Sequence, residues 1–307
     1  MTTRPQSSSR AFIKRHAVLV FYVLVFALAF GPALILGGPR AFFDSSNFAT
    51  GGELTTSADL GPLMLVAIMA GPPIYTLLAV LVIALTFGRA GLRGLLSRTL
   101  HWRVGFRWHV LALLTAPLLW VVIQGALSFT SNAYTPGIVT ADDKSTLLVT
   151  ALAAGLIAGF FEEIAWTGFA AHELLKRHGL IATGLIVGLL WCLLHLPLYG
   201  AASSGDLPRW LTLPVSLFSW LLPYRMLMVW VYSRTRSVLI AVLMHIPLSS
   251  MSFIFGSAAM VGMPDLIFNL IFGAVLWAAV AAVAITDRRK KALATGVVAP
   301  PGHWPRG

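Results

Sequence analysis

LAAGLIAGFFEEIAWTGFAAHELL, residues 152–175, decides the fold. Two adjacent acids, Glu162 and Glu163, sit inside an apolar run too long for a barrel strand and without strict alternation. A membrane helix needs about 20 mostly apolar residues, since only internally hydrogen-bonded helices and closed barrels cross hydrocarbon. A charge at the bilayer centre costs at least ~2.5 kcal/mol, so a paired acid there needs a physical reason. Working outward, comparable runs recur along the chain. They predict about eight spans, at 17–37, 62–87, 109–129, 146–168, 180–200, 210–232, 237–256 and 265–286. The expected fold class is an all-α polytopic transmembrane helical bundle.

Composition agrees. The 307 residues are 58% hydrophobic and only 11% charged, against roughly 25% charged in soluble domains. The first run is too long for a signal-peptide core and lacks a clear small-residue cleavage site, so it reads as a helix. The net charge of +11 is explained by placement. With both termini inside, the eight spans put most of the basic residues on one side, including Lys14, Arg15, Arg89, Arg93, Lys176, Arg177, Arg234 and Arg236. The other side keeps only Arg40, Lys144 and Arg209, with most of the acids. Such a split follows the positive-inside rule and implies a multi-pass protein of the cell membrane with cytoplasmic termini. The basic charge reads as topology and contact with anionic membrane lipids, not nucleic-acid binding. Cys192 is the single cysteine, so an intrachain disulfide is impossible. The organisation read from the chain is a basic segment 1–16, three helices with loops over 17–145, a core over 146–256, a last helix over 257–287 and a basic, disordered tail over 288–307. The loop 38–61 reads as an outer connection, and GRAGLRGLLSRTLHWRVGFR (88–107) as an amphipathic surface segment.

The ionisable residues inside spans are Glu162, Glu163, His195, Arg225 and His245. At about 1.5 Å per residue they lie roughly 8–10 Å (Glu162), 22 Å (His195) and 12 Å (His245) from the basic end, and tilt can close the gap. Two carboxylates and two imidazoles from three spans can therefore share a cavity in the inner half or middle of the bilayer. Close carboxylates are expected to share a proton, leaving one as a general base for water. Imidazole N–H groups opposite can stabilise an oxyanion. His195, His245 and Glu162 also match a two-His, one-Glu zinc set. Spacing does not choose between these chemistries.

Glu162-Glu163, then Trp191-x-x-x-His195, then His245-x-x-x-Ser249 resemble the three motifs of the CPBP family. This is the family of type II CAAX prenyl endopeptidases and Abi or bacteriocin-processing intramembrane proteases. FFEEIAWTGFAAHELL is similar to its first motif and LLWCLLHLPLY to its second; the likeness covers about 146–256. The resemblance implies a CAAX-protease-like helical core with a conical cavity. Glu162 would activate water for hydrolysis of a membrane-associated, prenylated or leader peptide, assisted by Glu163. His195 and His245 would hold the water or the oxyanion, with Trp191, Ser249 and Thr167 lining the site. The resemblance leaves metal-dependent and metal-free chemistry both open. The motifs depart from the family pattern at two polar positions. The first-motif arginine is Thr167, which cannot supply charge, and the third-motif asparagine is Ser249, of shorter reach.

Plainer readings account for the other polar groups. Arg225 is expected to snorkel to the headgroups, or else to compensate for the missing first-motif arginine. His109 reads as an interfacial group, Trp102, Trp210 and Trp230 as interface anchors, and Asn269 and the span glycines as packing features. His172-Glu173-Leu174-Leu175-Lys176-Arg177-His178 is not a zinc motif, because its histidines are six apart rather than four. The rival functions are a catalytically inactive CPBP-like membrane scaffold or immunity protein, and a proton-coupled transporter. The second predicts internal repeats, and the sequence shows none.

Overall fold

The computed structural model describes residues 12, 14–38, 62–201 and 205–294. The expected outer loop and the disordered tail lie largely outside them. Every regular element among the described residues is helical. The principal helices are α1 (Ala17–Gly37), α2 (Pro62–Thr99), α3 (Phe106–Ser128), α4 (Lys144–Leu174), α5 (Leu180–Leu194), α6 (Arg209–Thr235), α7 (Val238–Phe255) and α8 (Met263–Ala294). Six of these are long and apolar enough to cross a membrane: α2, α3, α4, α6, α7 and α8. The apolar parts of α1 and α5 are shorter. The chain is an all-α, multi-pass membrane protein. Its outward face carries large apolar side chains such as Leu85, Phe106 and Val122, as a surface solvated by lipid requires.

Four boundaries differ from the sequence reading. α2 does not stop at 87. It bends at Gly88, whose φ of 61° only glycine adopts at low cost. The helix then continues to Thr99 with Leu95 buried and Arg89 and Arg93 exposed. α4 runs past 168 to Leu174, with widened π-type turns at Ala158–Glu162 and Trp166–Ala171. The fifth span breaks at His195, because Pro197 lacks an N–H and crowds the preceding turn. The last helix reaches Ala294 rather than ending near 287.

Two glycine pairs set the helix crossings. α7 packs against both α3 and α4, and α5 against α6. In α4, a Cβ at Gly155 would fall 2.7 Å from the Ile246 carbonyl oxygen, and one at Gly159 2.9 Å from the Ile246 nitrogen. This Gly-x-x-x-Gly seam lets the backbone of α7 approach closely beside His245. Gly184 and Gly188 of α5 meet Met226 and Leu222 of α6 in the same manner. At the far end of α7, Gln124 of α3 donates Nε2–H bonds to the carbonyls of Phe255 (2.9 Å) and Tyr134 (3.1 Å). A buried amide thus satisfies a helix C-terminus that has lost its intrahelical donors.

Candidate active site

Glu162 closes the first widened turn of α4 and Glu163 begins the ordinary turn that follows, and the two side chains leave towards different partners. Glu162 lines a cavity of about 390 Å³. Its Oε2 accepts N–H bonds from two indoles, Trp191 Nε1 at 2.8 Å and Trp166 Nε1 at 3.1 Å. Glu163 is fully buried and does not line the cavity. Its carboxylate receives Arg225 Nη1, 2.7 Å from Oε1 and 2.9 Å from Oε2, together with the Thr167 hydroxyl and, at 2.7 Å, His245 Nδ1. The two acids have separate donor sets.

The imidazoles come from two proline-adjacent positions. His195 sits where α5 ends, in the sequence His195-Leu196-Pro197, and His245 in His245-Ile246-Pro247 of α7. Both side chains line the cavity with Glu162. His195 Nδ1 lies 2.9 Å from the Trp191 carbonyl oxygen. A carbonyl can only accept, so this nitrogen carries the hydrogen, and the same argument applies to His245 Nδ1 against the Glu163 carboxylate. Each ring therefore keeps Nε2 for the cavity. Trp191 joins the set. Its ring contacts His195 and His245 edge-on, at centroid distances of 4.6 and 5.7 Å, and the Arg225 guanidinium carbon stands 4.3 Å from its centre.

The sequence reading placed the cavity in the basic half of the bilayer or at its middle. Leu28, Tyr75 and Ser249 line it, thirteen or fourteen residues along their helices from Arg15, Arg89 and Arg236, which is about 20 Å. In the longer α4, Glu162 lies twelve residues before the helix end at Leu174, about 18 Å away.

The remaining sequence candidates separate cleanly. Trp191 and Ser249 line the cavity as expected. Thr167 does not; it is buried against Glu163. Arg225 does not snorkel: it is 0% exposed, and its charge is neutralised by Glu163. The guanidinium missing from the first motif thus arrives from α6. His172 bonds the Tyr232 hydroxyl through Nδ1 at 2.8 Å. Trp102 and Trp210 are exposed as anchors, whereas Trp230 packs edge-on against Trp108 at 5.4 Å. Sequence reasoning missed Trp166, although its position four residues after Glu162 put the two on one helical face. It also missed Tyr75, which shares the cavity wall and lies 5.5 Å from the Trp166 ring.

Among the described residues no three His, Cys, Asp or Glu side chains gather as a metal-holding group. Glu162 Oε2 is occupied by indole N–H groups, and Glu163 by a guanidinium. A zinc set of His195, His245 and Glu162 is not assembled here.

Carboxylate and imidazole side chains thus line one pocket within a helical membrane bundle. Residues 144–251 match the family model described as type II CAAX prenyl endopeptidase Rce1-like. A curated protein, CAAX prenyl protease 2 of Methanococcus maripaludis, is 29% identical over 105 residues, 33% of this chain. The aligned part spans 39% of that relative. Residues 144–251 are thus similar to type II CAAX prenyl endopeptidases, and they contain every polar residue of the site just described except Tyr75.

Proposed function

We propose that the chain is an intramembrane endopeptidase that hydrolyses a peptide bond of a membrane-associated, prenylated or leader-peptide substrate with a Glu-activated water. The observation that supports this reading is that Glu162, His195 and His245 line one cavity, with Glu162 held by two indoles. With Oε2 so fixed, Oε1 takes the proton of a water as it attacks the scissile carbonyl. His195 in its neutral form offers Nε2 as an acceptor that orients this water. His245, backed by the Glu163 carboxylate, can carry a second proton, and its Nε2–H then donates to the tetrahedral oxyanion. Glu162 returns its proton to the leaving amine. Glu163, Arg225 and Thr167 act through His245 as positioning residues. No step passes through a metal.

The inactive-scaffold reading drew its support from the missing first-motif arginine. Arg225 supplies that charge to Glu163 from another helix, so the departure no longer argues against catalysis.

The test is cleavage of a membrane-tethered peptide in proteoliposomes. Glu162→Gln keeps an oxygen for the indoles but cannot accept a proton, and is expected to lower turnover by at least about 100-fold. Unchanged turnover in this variant would remove Glu162 as the base. Cleavage unaffected by chelators is expected, and loss of activity restored by zinc would contradict the metal-free route.

A further inference from the structure

We propose that a second cavity, on the basic side of the bundle, is a binding site for an anionic phospholipid. It has a volume of about 470 Å³ and lies between α1 and α5, separate from the cavity that holds Glu162. Its mouth carries Lys14, Arg15, Arg177 and His178, all exposed. Glu173 is the single acid in its wall and is engaged by Lys176 at 2.6 Å. Three guanidinium or ammonium groups are thus set around one opening. Arg177 Nη1 also bonds the Arg15 carbonyl at 2.7 Å, which ties the start of α1 to the turn before α5. Below the mouth the walls turn apolar, formed by Val18, Val23 and Phe26 of α1 and Ile186 and Leu190 of α5.

A cationic rim over an apolar trough matches one chemistry: a phosphate diester in the rim with an acyl chain in the trough. Soluble anions would leave the trough unfilled, and zwitterionic lipids would bring a choline cation against the rim. Lys and Arg near an anionic lipid surface are worth about fivefold in affinity each. The site lies outside the polar catalytic set, and the inference does not depend on the protease reading. The two cavities are nevertheless adjacent. Tyr22 lines the lipid cavity and stacks on Trp166, at 5.7 Å and 10° between planes, and Trp166 holds Glu162.

The experiment is native mass spectrometry of the full chain, stripped of lipid in detergent and exposed to equimolar phosphatidylglycerol and phosphatidylcholine. Retention of one phosphatidylglycerol with at least about fivefold preference is expected. Lys14→Gln combined with Arg15→Gln should abolish the preference. Arg107→Gln, a basic change away from the cavity, should leave it intact. Leu190→Trp, which fills the trough without altering charge, should also displace the lipid. Inorganic phosphate in excess should not compete. Equal retention of both lipids, or equal loss in the Arg107 variant, would mean a general lipid annulus and overturn the proposal. Competition by phosphate, or persistence of binding in Leu190→Trp, would mean a surface anion site and overturn it as well. Melting temperatures of the variants in detergent separate loss of the site from loss of the fold.

Discussion

Arg225 Nη1 lies 2.7 Å from Glu163 Oε1, and both side chains are completely buried. The pair comes from two helices 62 residues apart in sequence. Breaking such a pair leaves a charge in low dielectric, so Arg225→Met is expected to destabilise the protein by about 3–5 kcal/mol. Arg225→Met combined with Glu163→Leu should be less destabilised than the two single changes added together. Thermal unfolding in detergent measures both, and strict additivity would show that the contact is not energetically coupled.

Trp191 is expected to act through its N–H as well as its ring. Trp191→Phe keeps an aromatic surface for His195, His245 and Arg225 but deletes the 2.8 Å bond to Glu162. Removal of one hydrogen bond to a charged group costs about 1.5–3 kcal/mol. Turnover should therefore fall by roughly 10- to 100-fold. Equal activity in this variant would show that Trp166 alone suffices to hold the carboxylate.

Gly159 is expected to tolerate no side chain. Its Cβ would fall 2.6 Å from Ile246 Cγ1 and 2.9 Å from the Ile246 backbone nitrogen. Backbone cannot move aside as a side-chain end can, so Gly159→Val should displace α7 and His245 with it. Overpacking of this kind costs about 1–3 kcal/mol, and peptide cleavage should fall further than stability does. Gly125→Ala is the control, since nothing lies within 4 Å of its Cβ. A helix gains about 0.5–1 kcal/mol on that change. Melting temperature and turnover, read side by side for both variants, check the prediction.

Asp143 is expected to govern the start of α4. Its Oδ1 accepts the Thr146 N–H at 2.9 Å and the Ser145 hydroxyl at 2.6 Å, and its Oδ2 accepts the Thr146 hydroxyl at 2.6 Å. The Ser145 and Thr146 hydroxyls and the Thr146 N–H favour the ionised form and hold this carboxyl well below its ordinary value. Because the folded value is depressed, the capping contribution is fully present above the unfolded pKa of about 3.9 and fades as pH falls through the folded one. Amide exchange at residues 144–147 should thus be independent of pH-linked unfolding at neutrality. Asp143→Ala should accelerate it at neutral pH, and Asp143→Asn should largely preserve protection. Equal protection in the alanine variant would show that the cap is dispensable.

The helices were legible because lipid imposes a uniform rule on sequence. Any segment that crosses must be apolar and long, and any charge within it is conspicuous. Glu162, His195 and His245 stood out for that reason, and the structure gathers them around one cavity. The details around them were not legible. The reach of α4 beyond 168 was hidden because polar residues near a helix end look like a boundary. Trp166 was hidden among ten tryptophans, most of which suit interfaces or packing. The His-x-Pro sequence at His195 was available as a signal for where the fifth span breaks.

The sequence by itself determined the all-α membrane architecture, the approximate spans and the identity of the acids and imidazoles, since those follow from transfer energies that act residue by residue. Only the tertiary structure decided that Arg225 neutralises Glu163 and that Trp166 and Trp191 hold Glu162. These depend on how far one helix slides and rotates against another. Two glycine seams and two widened turns set that geometry, through contacts between residues far apart in the chain.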